Sequence, residues 1–143
     1  MSGGPDALVH ASCVAIGGRA VLLAGRPGSG KSDLSLRLID RGAVLVSDDY
    51  TELRRSGIRL LARAPAAIAG KIELRGVGIV ELERRSDVPV CLHADLDRRP
   101  ERLPEAAVVL LAGTEIPSVA LAALEASAPL KLEWALVRFG LPL

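Results

Sequence analysis

Eight consecutive residues, Gly25-Arg26-Pro27-Gly28-Ser29-Gly30-Lys31-Ser32, match the phosphate-binding pattern G-x-x-x-x-G-K-[ST] in full. In such a loop the glycines let successive backbone N–H groups curl into an anion-binding nest at a helix N-terminus. Lys31 then reaches the terminal phosphates, and the Ser32 hydroxyl ligates Mg²⁺. All eight residues are therefore candidate contacts to a bound nucleotide.

The second chemical signal is Asp48-Asp49, one helix and one strand beyond Lys31. In nucleotide sites a carboxylate at the C-terminal end of a neighbouring strand faces the Mg²⁺ and the γ-phosphate. Adjacent residues on an extended chain point opposite ways, so one acid can face the metal and the other a different part of the site. A second acid suits a general base acting on a hydroxyl acceptor, so phosphoryl transfer to an alcohol is the leading reaction class. The competing reading of the pair is a solvated turn opening a hairpin.

The elements that must position these residues are legible in the apolar pattern. Ala20 to Ala24 reads as a buried strand, and Ser32 to Arg41 as a helix with Leu34, Leu38 and Ile39 on one face, ended by Gly42. Val9 to Ile16, joined by Gly17-Gly18 to Arg19–Ala24, reads as a hairpin feeding the loop. Ala43 to Ser47 is a strand ending at Asp48-Asp49, and Thr51–Arg55 with Ile58–Arg63 forms a further hairpin around Ser56-Gly57. Ala64 to Gly70 is read as one helical turn, Lys71–Leu74 and Val77–Glu83 as strands around Arg75-Gly76, and Val88–Asp97 as another strand. The charged, proline-bracketed stretch Asp97–Pro104 is a surface loop. Pro129 to Phe139, after Ser127 and before Gly140, is a closing helix. The apolar runs Val108–Ala112 and Val119–Leu124 fit either element type.

At 143 residues the chain is one domain around a single core. A formal net charge of +1 gives no global field to recruit nucleic acid or an anionic membrane. Aromatic residues are 2% of the chain, which leaves no stacking platform for single-stranded nucleic acid. Charged residues interrupt every apolar stretch well short of a membrane span, and the N-terminus has no basic, apolar leader pattern. A cytoplasmic location is the expectation, with Cys13 and Cys91 as free buried thiols.

Taken together, the loop, the aspartate pair and Lys71-Ile72-Glu73-Leu74-Arg75-Gly76-Val77-Gly78-Ile79-Val80 resemble the catalytic domain of bacterial HPr kinase/phosphorylase. Glu73 to Ile79 looks like that family's E-[IL]-R-G-x-G-[IL] signature. Arg41-Gly42 followed by Asp48-Asp49 is similar to its R-G-x-x-L-[IV]-x-D-D. The resemblance runs from His10 to Lys131. It implies a P-loop α/β fold, a mixed sheet with flanking helices and extra antiparallel strands, as a single domain over 1–143. It further implies ATP and Mg²⁺ as cofactors, a serine of the phosphocarrier HPr as acceptor, a multimer, and a reverse reaction in which inorganic phosphate removes the phosphoryl group as pyrophosphate.

Carried over residue by residue, the resemblance makes Lys31 a catalytic phosphate contact and Asp49 the base in the forward direction and the acid in reverse. Ser32, Asp48 and Glu73 become the metal-associated residues, and His10 a catalytic histidine near the phosphates. Arg98, with Arg99 beside it, matches a catalytic arginine. Arg75 suits phosphate oxygens through its guanidinium. The chain begins almost at the catalytic domain, so it resembles the short alphaproteobacterial type without the additional N-terminal domain. The family's Pro-Val-Arg-Pro-Gly-Arg loop is replaced by Glu125–Lys131, where Lys131 is expected to substitute in part. Two other functions fit the loop: a small-metabolite kinase, and an ATP-binding sensor that transfers nothing.

Overall fold

The computed structural model describes residues 4–143. The chain opens with β1 (Ala7–Val9), β2 (Ala11–Ile16) and β3 (Arg19–Ala24). Gly17 and Gly18, with φ of 57° and 82°, make the left-handed turn that matches the twist of the β2–β3 hairpin. Helix α1 (Lys31–Asp40) follows the glycine loop, and β4 (Val44–Ser47) returns to pair with β2. The hairpin β5 (Thr51–Ser56) and β6 (Arg59–Arg63) comes next, then a short 3-10 turn over Ala66–Ile68. A separate two-stranded hairpin, β7 (Lys71–Leu74) and β8 (Gly78–Glu81), precedes β9 (Val88–Asp95). The chain closes with β10 (Ala107–Leu111), β11 (Thr114–Ala120) and α2 (Ala128–Phe139).

The main sheet runs in the order β1-β5-β6-β9-β3-β2-β4, with the β10–β11 hairpin joined to it through β9. Strand β9 lies parallel to β3 along one edge. Its other edge is shared, Val88 and Pro89 pairing with β6 and His93–Asp95 with β11. The sheet therefore branches at β9.

Alternation along the central strands divides the core in two. Val14, Val21, Leu23 and Leu92 face a layer with Leu34 and Leu38 of α1 and Leu132 and Leu136 of α2. Cys13, Ala15, Ala20 and Leu22 face the other way, onto Leu53, Leu60 and Ala62 of the curled β5–β6 hairpin. Because both faces are covered, β2 and β3 are nearly continuous apolar runs. Cys13 and Cys91 are free and buried in opposite layers, and burial pushes both thiols up.

Of the two runs open to either reading, Val108–Ala112 falls mostly on β10, whereas Val119–Leu124 holds only the last two residues of β11 and then the irregular segment before α2. Val108 and Leu110 are 60% and 68% exposed on a hairpin strand paired along only one edge, so their apolar character does not mark a core face. No helix among the described residues is long and apolar enough to cross a membrane.

Candidate active site

Strand β2 is antiparallel to both β3 and β4, so β3 and β4 run the same way, as do β9 and β11 beside them. Their C-terminal ends share one edge of the sheet, where open α/β sheets bind ligands. The glycine loop leaves β3 at that edge and enters α1 there.

The loop is shaped by close approach. A Cβ on Gly25 would lie 2.5 Å from Ser29 Oγ and 3.2 Å from Leu96 Cβ, so a larger residue would push the loop off the neighbouring segment. Gly30 is the N-cap of α1 with φ 99°, a left-handed conformation suited to glycine. Lys31 is 6% exposed and its Nζ donates to the carbonyls of Gly25 at 2.7 Å and Arg26 at 3.1 Å. Asp97, just beyond β9, accepts from the Arg26 N–H at 3.0 Å and ties the loop to the next strand. Ser29 Oγ is buried without a hydrogen-bond partner among the described residues.

Two sheet corners bring the acids and His10 together. β1 pairs with β5 and β2 with β4, so the chain changes sheet partners at His10 on one side and at Asp48–Tyr50 on the other. The register Val9↔Thr51 and Cys13↔Ser47 sets these corners opposite each other. There His10 Nε2 lies 2.8 Å from Asp49 Oδ1, which is also 3.9 Å from Lys31 Nζ. The imidazole stacks on Tyr50 with ring centroids 4.8 Å apart and planes at 19°.

Asp48 has different partners. Its Oδ1 accepts from Ser32 Oγ at 2.6 Å and Ser12 Oγ at 3.2 Å, and its Oδ2 from the Glu73 N–H at 3.1 Å. The two acids are separated by a turn rather than by strand pleating. Asp49 has φ 67° and Tyr50 N donates to Asp48 O at 2.7 Å, closing a γ-turn whose centre is left-handed.

Lys31, Ser32, Asp48, Asp49 and Tyr50 line a cleft of about 970 Å³ with Gly28, Gly30, Glu73 and Arg75, and His10 and Ser12 support it from behind Asp49 and Asp48. Its polar end holds Lys31, Ser32, Asp48, Asp49 and Glu73, and its other walls include Leu36, Ile68, Val77 and Ile79. A smaller cavity of about 510 Å³ lies on the other flank of the loop, between Arg26, Asp97 and residues 122–125.

The structure thus gathers His10, Lys31, Ser32, Asp48 and Asp49 within hydrogen-bond or ion-pair reach, and places Glu73 and Arg75 on the same cleft. Arg98 is exposed beyond β9, its N–H bonded to Asp95 Oδ1 at 3.1 Å, and Arg99 is exposed beside it. Lys131 is exposed in the first turn of α2, away from the cleft, and pairs at 3.0 Å with Glu125, which lines the smaller cavity. Ser12, Tyr50 and Asp97 belong to the site without having been singled out in the sequence. The available signal for Ser12 was its place two residues after His10, which on an extended strand shares a face.

Oxygen ligands suit Mg²⁺, which commonly takes one or two carboxylates and completes its shell with waters and phosphate oxygens. The adjacent Ser32 hydroxyl and Asp48 carboxylate fit that demand. Among the described residues no group of three His, Cys, Asp or Glu forms an all-protein cage.

The HPr serine kinase C-terminal domain model matches residues 4–86, which include the loop, both corners and the β7–β8 hairpin. The HPr kinase/phosphorylase of Chlorobium chlorochromatii is 37% identical over 127 residues, covering 78% of this chain and 38% of that protein. The HPr kinase/phosphorylase of Mycoplasma genitalium is 42% identical over 76 residues, 53% of this chain and 24% of that protein. The chain therefore spans well under half the length of these curated relatives. The HPr(Ser) kinase/phosphatase structure from Coxiella burnetii aligns with TM-score 0.79 at 28% identity, covering 92% of this chain and 94% of that one. The mixed α/β fold and the shared sequence over more than half its length make this chain a member of the HPr serine kinase C-terminal domain family.

Proposed function

We propose that this domain is a Mg²⁺- and ATP-dependent protein kinase acting on a serine of the phosphocarrier HPr. The observation that carries the reading is the division of labour between adjacent acids in one cleft: Asp48 on the Ser32 hydroxyl, Asp49 between His10 and Lys31. A switch or transport ATPase needs the first of these carboxylates, whereas transfer to an alcohol uses a second as base.

In this mechanism the loop N–H groups and Lys31 hold the phosphates at the start of α1. Ser32 and Asp48 would hold the Mg²⁺, with Glu73 as a further acid lining the cleft. When bound, the ion neutralises charge on the β- and γ-phosphate oxygens. The HPr serine Oγ bonds to the γ-phosphorus as the bond from that phosphorus to the β–γ bridging oxygen breaks. ADP leaves with the electron pair, and the serine proton passes to Asp49. His10 orients the Asp49 carboxylate, and Arg75 offers a guanidinium to phosphate oxygens from the cleft wall. Arg98 is the arginine assigned to the transferring phosphoryl group, from the loop beyond β9. In reverse, an oxygen of inorganic phosphate bonds to the phosphoserine phosphorus as the bond from that phosphorus to the serine Oγ breaks. The serine oxygen leaves with the electron pair and takes the proton back from Asp49, and the pyrophosphate so formed is released. Lys131 is assigned to that direction alone. The unpaired thiols suit a cytoplasmic setting, where ATP and HPr meet.

The test is transfer of label from γ-labelled ATP to HPr with Mg²⁺, beside HPr whose regulatory serine is changed to alanine. Label on the unmodified carrier alone supports the reading. Nucleotide binding with no labelled carrier rejects it in favour of a sensor or a small-metabolite kinase.

A further inference from the structure

Between the two acids sits one buried hydroxyl. Ser12 of β2 is 0% exposed, and its Oγ donates its single hydrogen to Asp48 Oδ1 at 3.2 Å while accepting the Asp49 N–H at 2.9 Å. The same oxygen is therefore bonded to both members of the pair, to the carboxylate of one and the backbone of the other. We infer that Ser12 is a positioning residue that sets the two aspartates relative to each other, an assignment that rests on the kinase reading above.

The physical need for it lies in the turn. Asp49 has φ 67°, a left-handed conformation that an L residue holds only when its surroundings impose it. The bond from the Asp49 N–H to Ser12 fastens the centre of that turn to β2. Thr51 Oγ1, donating to Ala11 O at 2.8 Å, fastens its far side to the same strand. Ser47 Oγ bonds Tyr50 O and closes the turn on itself without reaching β2. Without the Ser12 hydroxyl the Asp49 N–H loses this acceptor, and the turn is free to relax toward right-handed backbone. Asp49 would then swing relative to His10 and Lys31. Asp48 is buffered, because Ser32 Oγ and the Glu73 N–H still hold both of its oxygens. Loss of Ser12 should therefore separate the rate of transfer from nucleotide binding.

The experiment compares wild type, Ser12→Ala and Ser12→Thr in two measurements. The first is the kcat and KM of Mg²⁺-ATP in transfer to HPr, expressed per folded molecule. The second is hydrogen exchange of the Asp49 amide, followed by NMR without substrate. Ser12→Ala should lower kcat about 10- to 100-fold, the scale expected for misplacing a catalytic group by about 1 Å, with KM changed less than about threefold. Its Asp49 amide should exchange at least about tenfold faster, as local opening becomes easier. Ser12→Thr, which keeps the hydroxyl, should restore both.

A Ser12→Ala protein with kcat within about twofold of wild type overturns the assignment. So does slow transfer with unchanged Asp49 exchange, and so does a threonine variant that regains amide protection but not rate. If wild type itself labels no HPr, the kinase reading fails separately, while the exchange measurement still decides whether Ser12 holds the turn.

Discussion

Asp48 and Asp49 are neighbours in the chain with unlike surroundings, and substitutions that remove charge while keeping shape should separate them. Asp49→Asn should lower kcat roughly 10²- to 10⁴-fold, the usual contribution of a positioned base, and leave nucleotide affinity nearly intact. Asp48→Asn should instead weaken Mg²⁺-dependent nucleotide binding, since it alters the partner of Ser32. Binding by calorimetry beside the transfer assay distinguishes them, and equal losses in both assays for both variants would refute the division. A different residue adds an acid-sensitive contribution to stability. His93, bonded through Nδ1 to Ser118 Oγ at 2.9 Å, has its pKa lowered from 6.5, chiefly by burial, with Asp95 opposing and Arg98 adding to the shift. The unfolded chain therefore takes up this proton at a higher pH than the native state. Its contribution to stability is complete above about pH 6.5 and shrinks as pH falls from there to the lowered native value. His93→Gln should lose less stability than wild type between about pH 7.5 and about pH 5.5, read from urea midpoints.

At the scale of elements, the site depends on how β3, the loop and α1 meet. Gly25 allows the loop to fold onto Ser29 and Leu96, and the approach is too tight for a Cβ. Gly25→Ala should shift the loop and weaken nucleotide binding by about tenfold, near 1.4 kcal/mol, while the sheet behind it stays folded. Fluorescent-nucleotide titration beside far-UV circular dichroism checks this, and unchanged affinity would exclude the steric account. The Arg41–Glu133 pair between the end of α1 and α2, at 2.8 Å, is screened by solvent, so apolar packing of Leu34 and Leu38 against the sheet anchors α1.

The whole molecule is tied together by β9, which joins β3 on one edge to β6 and β11 on the other. Both core layers meet across it, with Leu92 in one and Val90 in the other. The fold should consequently unfold as one cooperative unit. Leu92→Ala should cost about 2–5 kcal/mol and shift a single urea transition to lower midpoint. A biphasic transition would show instead that the β5–β6 layer and the helical layer are independently stable.

Much of this arrangement was written in local pattern. The glycine loop, the strand before it and the helix after it follow from residue type and spacing, because φ, burial period and capping are properties of a few adjacent residues. Gly17-Gly18 and the β5–β6 turn were legible for the same reason, as were the Asp48-Asp49 pair and the Glu73–Ile79 hairpin. The β10 strand was not, because its exposed valine and leucine depart from the link between apolar character and burial. Nor was the grouping of His10 with Asp49, which depends on a register joining residues 39 positions apart. That register places two sheet corners side by side, and at one of them Asp49 sits in a left-handed turn, so the acids diverge by backbone geometry rather than by strand alternation. Sequence alone determined which chemical groups this protein carries and which elements bear them. Tertiary structure decided which groups meet, because strand pairing between distant segments sets distances that no local preference encodes.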